Sequence, residues 1–138
     1  MGYRSQVRSI IYGPDDKVTE FVAAKKLAGD AALVDLWGST TTYLVAYGAE
    51  AWRVLDLQGD QWKWYPDFPD VAAWMTMLDE AEEAELQYEF ARIGEDDNDI
   101  EYKGSSGREC WLGFHREITS GDMPNKLQEV THGPDAES

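Results

Sequence analysis

Carboxylates are the side chains of this sequence most able to do chemistry, and most of them fall in its second half. Residues 66–101 contain thirteen acids and one basic residue, Arg92, whereas residues 1–28 carry a net charge of +2. Acids at this density attract basic surfaces and divalent cations. The candidate partner-binding residues are Asp79, Glu80, Glu82, Glu83, Glu95, Asp96, Asp97, Asp99 and Glu101.

The acidic run does not fit a calcium-binding loop. Asp97, Asp99 and Glu101 alternate as EF-hand ligands do, but with Asp97 as the first ligand the required glycine falls on Tyr102 and the bidentate glutamate on Arg108. A metal-dependent hydrolase using the loop from Glu95 to Glu101 remains an alternative, although no pair of carboxylates is privileged by spacing. We predict no resident metal ion and no cofactor.

Nucleophilic catalysis is not indicated either. The two histidines are His115 and His132, and Cys110 lies five residues before His115, on the opposite side of an ideal strand. Zinc-ligand spacings, the P-loop and the dinucleotide-binding glycine pattern are all missing from the sequence. The sequence therefore predicts a protein that is not an enzyme.

Tryptophan is the second unusual component, with six residues in a chain of 138. Trp62 and Trp64 are two positions apart, so they point to the same side of a strand. With Trp52 they form a predicted aromatic surface. A self-assembling protein, or one that sequesters a small ligand on this surface, is therefore a further alternative, and homo-oligomerisation is left open.

The elements of the first half begin with a strand over Tyr3–Tyr12, in which Val7 and Ile11 share one face. A helix follows Gly13 and Pro14 and ends at Gly29. Further strands are predicted at 33–37 and 41–47. A hairpin is predicted from Trp52–Leu57 and Gln61–Tyr65, with its turn at Gln58, Gly59 and Asp60.

The second half opens with a helix after Pro69, since Val71, Trp74, Met75 and Leu78 recur at helical spacing. Residues 86–90 alternate as in a half-buried strand, and residues 110–118 are its predicted antiparallel neighbour. Residues 94–107 are interpreted as an acidic connection between them.

These elements predict an α+β fold, with a mixed or mainly antiparallel sheet of about five to six strands and two helices packed on one face. Residues 2–118 form the single predicted domain, and residues 119–138 a polar, flexible tail.

Composition restricts the partners and the location. The net charge of −15 repels phosphate backbones, so direct nucleic-acid binding is not expected. The single cysteine allows no intrachain disulfide, and no run of about 18 apolar residues could span a membrane. We expect a cytoplasmic protein without membrane contact.

Three segments also resemble a known group of proteins. Residues 2–7 (GYRSQV), 62–71 (WKWYPDFPDV) and 90–101 (FARIGEDDNDIE) resemble a family of small acidic, functionally unassigned proteins of tailed bacteriophages. The resemblance implies expression in a bacterial host cytoplasm and an accessory role, and it carries over no site residue.

The leading prediction is a non-enzymatic acidic protein whose carboxylates dock on a basic surface of a host or phage protein. Such a protein would act as an inhibitor or as a mimic of the charge of DNA.

Overall fold

A five-stranded antiparallel sheet is the centre of the fold, with the strand order β2-β3-β1-β4-β5. The computed structural model describes residues 3–96, 98–105, 111–114, 118–119 and 123–124. The strands are β1 (Ser5–Pro14), β2 (Thr40–Tyr47), β3 (Glu50–Trp62), β4 (Gln87–Ile93), β5 (Ile100–Gly104), β6 (Gly113–Phe114) and β7 (Ile118–Thr119). The helices are α1 (Asp15–Ala28), α2 (Val34–Trp37) and α3 (Pro69–Glu83), with a 3-10 turn at Ala31–Leu33. The predicted α+β class is confirmed.

Helices α1 and α3 cover the same face of the sheet. α1 ends at Gly29, which adopts the left-handed conformation (φ 71°) that favours glycine. α3 begins at Pro69, and its buried residues recur at helical spacing. Trp74 of α3 is fully buried and donates a hydrogen bond from its indole Nε1 to Ser9 Oγ of β1 (3.0 Å). The first core therefore lies between these two helices and the sheet.

The opposite face of the sheet is covered by a segment from the C-terminal part of the chain. The residues that form this cover, which we call the C-terminal strap, are Trp111, Leu112, Ile118 and Met123. The Trp111 ring stacks on Tyr12 with 3.9 Å between ring centroids. Ile118 N–H also donates a hydrogen bond to Gln6 Oε1 of β1 (3.2 Å). The centre of the sheet is thus buried on both faces.

The predicted boundary between domain and tail falls inside the strap. β7 pairs with β6 through Phe114 and Ile118 and through Gly113 and Thr119. Met123 packs against the second core, so ordered contacts continue past residue 118. Most of the predicted tail, and also Cys110, His115 and His132, lie outside the described residues.

The predicted hairpin around Gly59 is wrong. Residues 50–62 form one continuous strand, in which Gly59 pairs with Val7 of β1 and a bulge lies between Val7 and Ser5. Glycine at position 59 lets the Trp62 ring pack directly against the backbone and does not form a turn. A Cβ there would lie 2.0 Å from that ring. The hairpin of this region instead joins β2 to β3 beside Gly48, whose φ is 60°.

The strand predicted at 33–37 is also wrong, because this segment is a 3-10 turn followed by α2. The Asp30 side chain accepts a hydrogen bond from Ala32 N–H (3.0 Å) and caps the turn. Leu33 and Leu36 are three residues apart, and both side chains point into the first core. The apolar run was too short to distinguish a strand from a helical turn.

The predicted partner of the strand at 86–90 is wrong as well. β4 pairs with β1 on one side and with β5 on the other. β5 lies within residues 94–107, for which the sequence predicts only a connection. As an edge strand, its residues are exposed or half-buried and give no alternating burial pattern.

Candidate functional site

The predicted acidic residues lie in two groups at opposite ends of β4. One group occupies the last turns of α3, directly before the start of β4, and contains Asp79, Glu80, Glu82 and Glu83. The other group lies where β4 ends. We call residues 94–99, which join β4 to β5, the acidic turn. Seven residues of β4 separate the two groups, which is about 23 Å at about 3.3 Å per residue.

Lysine side chains contact part of the helix-end group. Lys25 of α1 forms an ion pair with Glu80, and Lys103 of β5 lies 3.6 Å from Asp79. Glu83 is exposed. These ion pairs join α3 to its neighbours, so we assign them to holding α3 in place.

At the other end, Arg92 holds two of the predicted acids. Its Nη2 and Nη1 donate to Asp99 at 2.7 and 3.1 Å, and its Nε donates to Glu101 at 3.0 Å. Its Nη1 also donates to Ser5 Oγ at 3.0 Å. Arg92 is therefore neutralised by this pair of acids and fixes the position of Asp99 and Glu101.

Tyr3 ties the acidic turn to the start of β1. Its hydroxyl donates to Asp99 Oδ2 (2.7 Å) and accepts from Asp96 N–H (3.0 Å). Its own N–H donates to the hydroxyl of Tyr65 (2.6 Å). Gly94 allows this approach, because a Cβ there would lie 2.4 Å from the Tyr3 hydroxyl and 2.1 Å from Asp99. The sequence did not identify Tyr3 or Gly94.

Glu95 and Asp96 are the exposed acids of the turn. Glu95 accepts a hydrogen bond from Arg4 N–H at 2.7 Å. Asp97, another predicted acid, lies outside the described residues. The turn therefore presents at least two carboxylates to solvent, next to those fixed by Arg92.

A cleft of about 470 Å³, which we call the aromatic cleft, opens beside the acidic turn. Its aromatic walls are Tyr3, Trp64, Tyr65 and Phe90. Val71, Ala72 and Met75 of α3 add an aliphatic side, and Arg92, Asp99 and Glu101 add a charged one. An apolar cleft with a few convergent polar groups is typical of a ligand-binding site.

A second, smaller cleft of about 270 Å³ lies at the same end of the sheet. It is mainly polar and is lined by Arg4, Asp60, Gln61, Gly94 and Glu95 among others. Residues at the start of the acidic turn line this cleft, and Asp99 at its end lines the aromatic cleft. Residues of the acidic turn therefore line both clefts.

The three predicted surface tryptophans are not on one surface. Trp62 stacks on Trp64 with 5.6 Å between ring centroids, and Trp64 stacks in turn on Phe90 at 5.9 Å. Trp64 is buried, with 7% of its surface exposed, and forms part of the aromatic cleft. Trp52 lies on the other face, stacked on Tyr47 at 4.0 Å, where it packs against the second core.

A buried carboxylate that the sequence analysis missed lies under the strap. Glu89 is fully buried and accepts hydrogen bonds from the hydroxyls of Tyr12 (2.8 Å) and Tyr102 (3.0 Å). It also accepts from the backbone N–H groups of Trp111 (2.8 Å) and Leu112 (3.0 Å). Glu89 therefore anchors the strap to the sheet.

A buried ion pair lies on the same face. Arg8 donates from Nε and Nη2 to Asp56 at 3.2 and 2.8 Å, and the Tyr43 hydroxyl donates to Asp56 at 2.5 Å. Burial, and then the neighbouring Asp56 carboxylate, raise the pKa of Tyr43, so this hydroxyl remains protonated at neutral pH. Arg8 follows Val7 in β1 and therefore lies on the opposite face of the sheet, which the strap covers.

The hydrogen bonds to Asp99 predict a pH dependence of the turn. Those from Arg92, and then from Tyr3, lower the pKa of the Asp99 carboxyl. The folded turn therefore gains stability above the unfolded pKa of about 3.9 and loses it as the pH falls through the lower, folded value. In a carboxyl NMR titration, we expect Arg92→Gln to raise the pKa of Asp99. Equal values in the two proteins would contradict the role of Arg92.

Within the described ranges, no three His, Cys, Asp or Glu residues lie together as a metal site would require. None of the helices that the structure describes has the length and apolar content of a membrane span.

No protein-family model, curated protein or solved structure matches the chain.

Proposed function

We propose that this chain is a non-enzymatic accessory protein that binds a basic surface of another protein through the acidic turn. The observation that supports this proposal most strongly is a charge excess that internal ion pairs cannot cancel. The chain has 27 acidic and 12 basic residues, so 27 − 12 = 15 negative charges remain even if each basic residue neutralises a different acid. A basic partner would neutralise this excess.

The end of the sheet that carries the acidic turn is the part of the protein surface best suited to docking. Two described basic residues, Arg4 and Arg92, lie in or beside the two clefts. Five described acids lie in the turn or line the clefts: Asp60, Glu95, Asp96, Asp99 and Glu101. The local balance is thus 2 − 5 = −3. These acids adjoin concave surfaces into which a partner can insert side chains.

Complementary charge would mainly accelerate association and select the partner. Exposed charges at the rim of an interface raise the association rate and make binding sensitive to salt. The resemblance to small acidic phage proteins supports a role in the cytoplasm of a bacterial host. There, the protein would occupy a basic surface of a host or phage protein, as an inhibitor or as a mimic of the charge of DNA.

Affinity capture with matched charge variants tests the proposal. The immobilised protein is exposed to bacterial lysate at about 0.01 M and about 0.15 M salt, where the screening length falls from about 30 to about 8 Å. We expect basic proteins, identified by mass spectrometry, to be retained at low salt and released at the higher salt. Glu95→Gln combined with Asp96→Asn should reduce this capture about tenfold.

The control removes the same number of charges at the other end of β4. Glu83→Gln combined with Glu85→Gln changes two exposed residues and should leave the captured proteins unchanged. Capture of nothing at low salt, or equal loss of capture in both variants, would show that the acidic turn is not the docking site.

A further inference from the structure

The aromatic cleft combines an apolar floor with a charged side. Its floor is apolar, because Trp64 and Phe90 are buried with 7% and 1% of their surface exposed. Its charged side carries the carboxylates of Asp99 and Glu101. A ligand group that fits both the floor and the charged side needs an apolar stem or plane and a positive charge.

An anion does not suit this cleft. Arg92 is its cation, and the guanidinium already donates to Asp99, Glu101 and Ser5. An incoming anion would have to displace these carboxylates and would be repelled by them. An incoming cation would instead be attracted, because the carboxylates of Asp99 and Glu101 carry two negative charges and Arg92 carries one positive charge.

The contacts of Arg92 show how the cleft can hold a guanidinium. Asp99 binds Arg92 through both carboxylate oxygens, and Glu101 binds Nε through Oε1. Among the described residues, no hydrogen bond involves Glu101 Oε2. The Glu101 side chain is 49% exposed. A second guanidinium can therefore approach Glu101 from the open side of the cleft.

We infer that the aromatic cleft receives an arginine side chain of the basic partner, and this inference rests on the proposed function. The guanidinium stacks on Tyr3 or Tyr65, the half-buried aromatic walls of the cleft, and donates to Glu101. Its aliphatic stem contacts the α3 side of the cleft. Arginine is favoured over lysine, because a planar guanidinium can both stack on a ring and donate in a fork, whereas an ammonium is a more strongly hydrated point charge.

Two capped heptapeptides of alternating glycine and either arginine or lysine are suitable probes. We expect the full chain to bind the arginine peptide about fivefold more tightly than the lysine peptide at low salt. The Trp64 indole and the backbone amides of Ala72 and Met75 should show the largest NMR shift changes. A glutamate peptide of the same length should not bind.

A variant that fills the cleft without changing charge separates this inference from general charge attraction. Ala72 is exposed and lines the cleft, so Ala72→Phe adds a ring there and should reduce affinity for the arginine peptide about tenfold. Ala24→Phe makes the same change at an exposed position of α1 and should have no effect.

The outcomes distinguish the two proposals. Equal binding of the arginine and lysine peptides, unaffected by Ala72→Phe but weakened by Glu95→Gln and Asp96→Asn, would overturn the arginine inference and leave the proposed function standing. Failure of both basic peptides to bind at low salt would count against both. Shift changes confined to residues outside the cleft would overturn the arginine inference alone.

Discussion

Glu89→Ala is expected to lower the free energy of unfolding by about 3–5 kcal/mol. The substitution removes the acceptor of four hydrogen bonds, two from tyrosine hydroxyls and two from backbone N–H groups of the strap. Buried donors that lose their acceptor cost about 1–3 kcal/mol each, partly offset because a buried charge is removed as well. The strap should detach before the sheet unfolds.

Urea denaturation followed by tryptophan fluorescence measures this effect. Glu89→Gln keeps one acceptor oxygen but turns an amide N–H toward other donors, so its stability should lie between that of the native chain and that of Glu89→Ala. Glu83→Ala, at an exposed position, should change stability by less than about 0.5 kcal/mol. A loss below about 1 kcal/mol in Glu89→Ala would mean that the carboxylate does not anchor the strap.

Asp56→Ala is the second change with a large expected effect, again a loss of about 3–5 kcal/mol. The substitution leaves the Arg8 guanidinium in a nearly dry site, since the Arg8 side chain is only 11% exposed. The Tyr43 hydroxyl loses the same carboxylate. Burial of the guanidinium without this carboxylate, more than the lost attraction itself, accounts for most of this cost.

Replacing the whole polar group tests that reasoning. Arg8→Met, Asp56→Leu and Tyr43→Phe together remove the charges and the hydroxyl but keep apolar volume. We expect the triple variant to be more stable than Asp56→Ala alone, because neither charge of the pair then stays buried without the other. A triple variant that is as unstable as Asp56→Ala would mean that the ion pair itself provides the stability.

Elements with strong local signals could be predicted from the sequence. α1 is bounded by Pro14 and Gly29, and α3 begins at Pro69 with a run of apolar residues at helical spacing. The predicted elements that were wrong lie where tertiary contacts override local sequence patterns. Gly59 looks like a turn residue, but in the structure it makes room for the Trp62 ring within a long strand.

The candidate site was only partly predictable for the same reason. Local composition identified the acids, but only the topology places α3 at one end of β4 and the acidic turn at the other. Tyr3 meets Asp99 across 96 residues of sequence, and no local pattern records such a contact. The half-buried strand predicted at 86–90 implies one exposed face, and local alternation cannot foresee a strap that covers this face and buries Glu89.

The strap also determines when the fold can be completed during synthesis. Gln6 and Ile118, joined by a hydrogen bond, are 112 residues apart, so the ribosome has made every strand of the main sheet before it reaches Ile118. A nascent chain can therefore close its helix-covered core first, while Ile10, Tyr12 and Val54 still face the solvent. For that interval, the growing polypeptide displays an apolar sheet face of the kind that chaperones recognise.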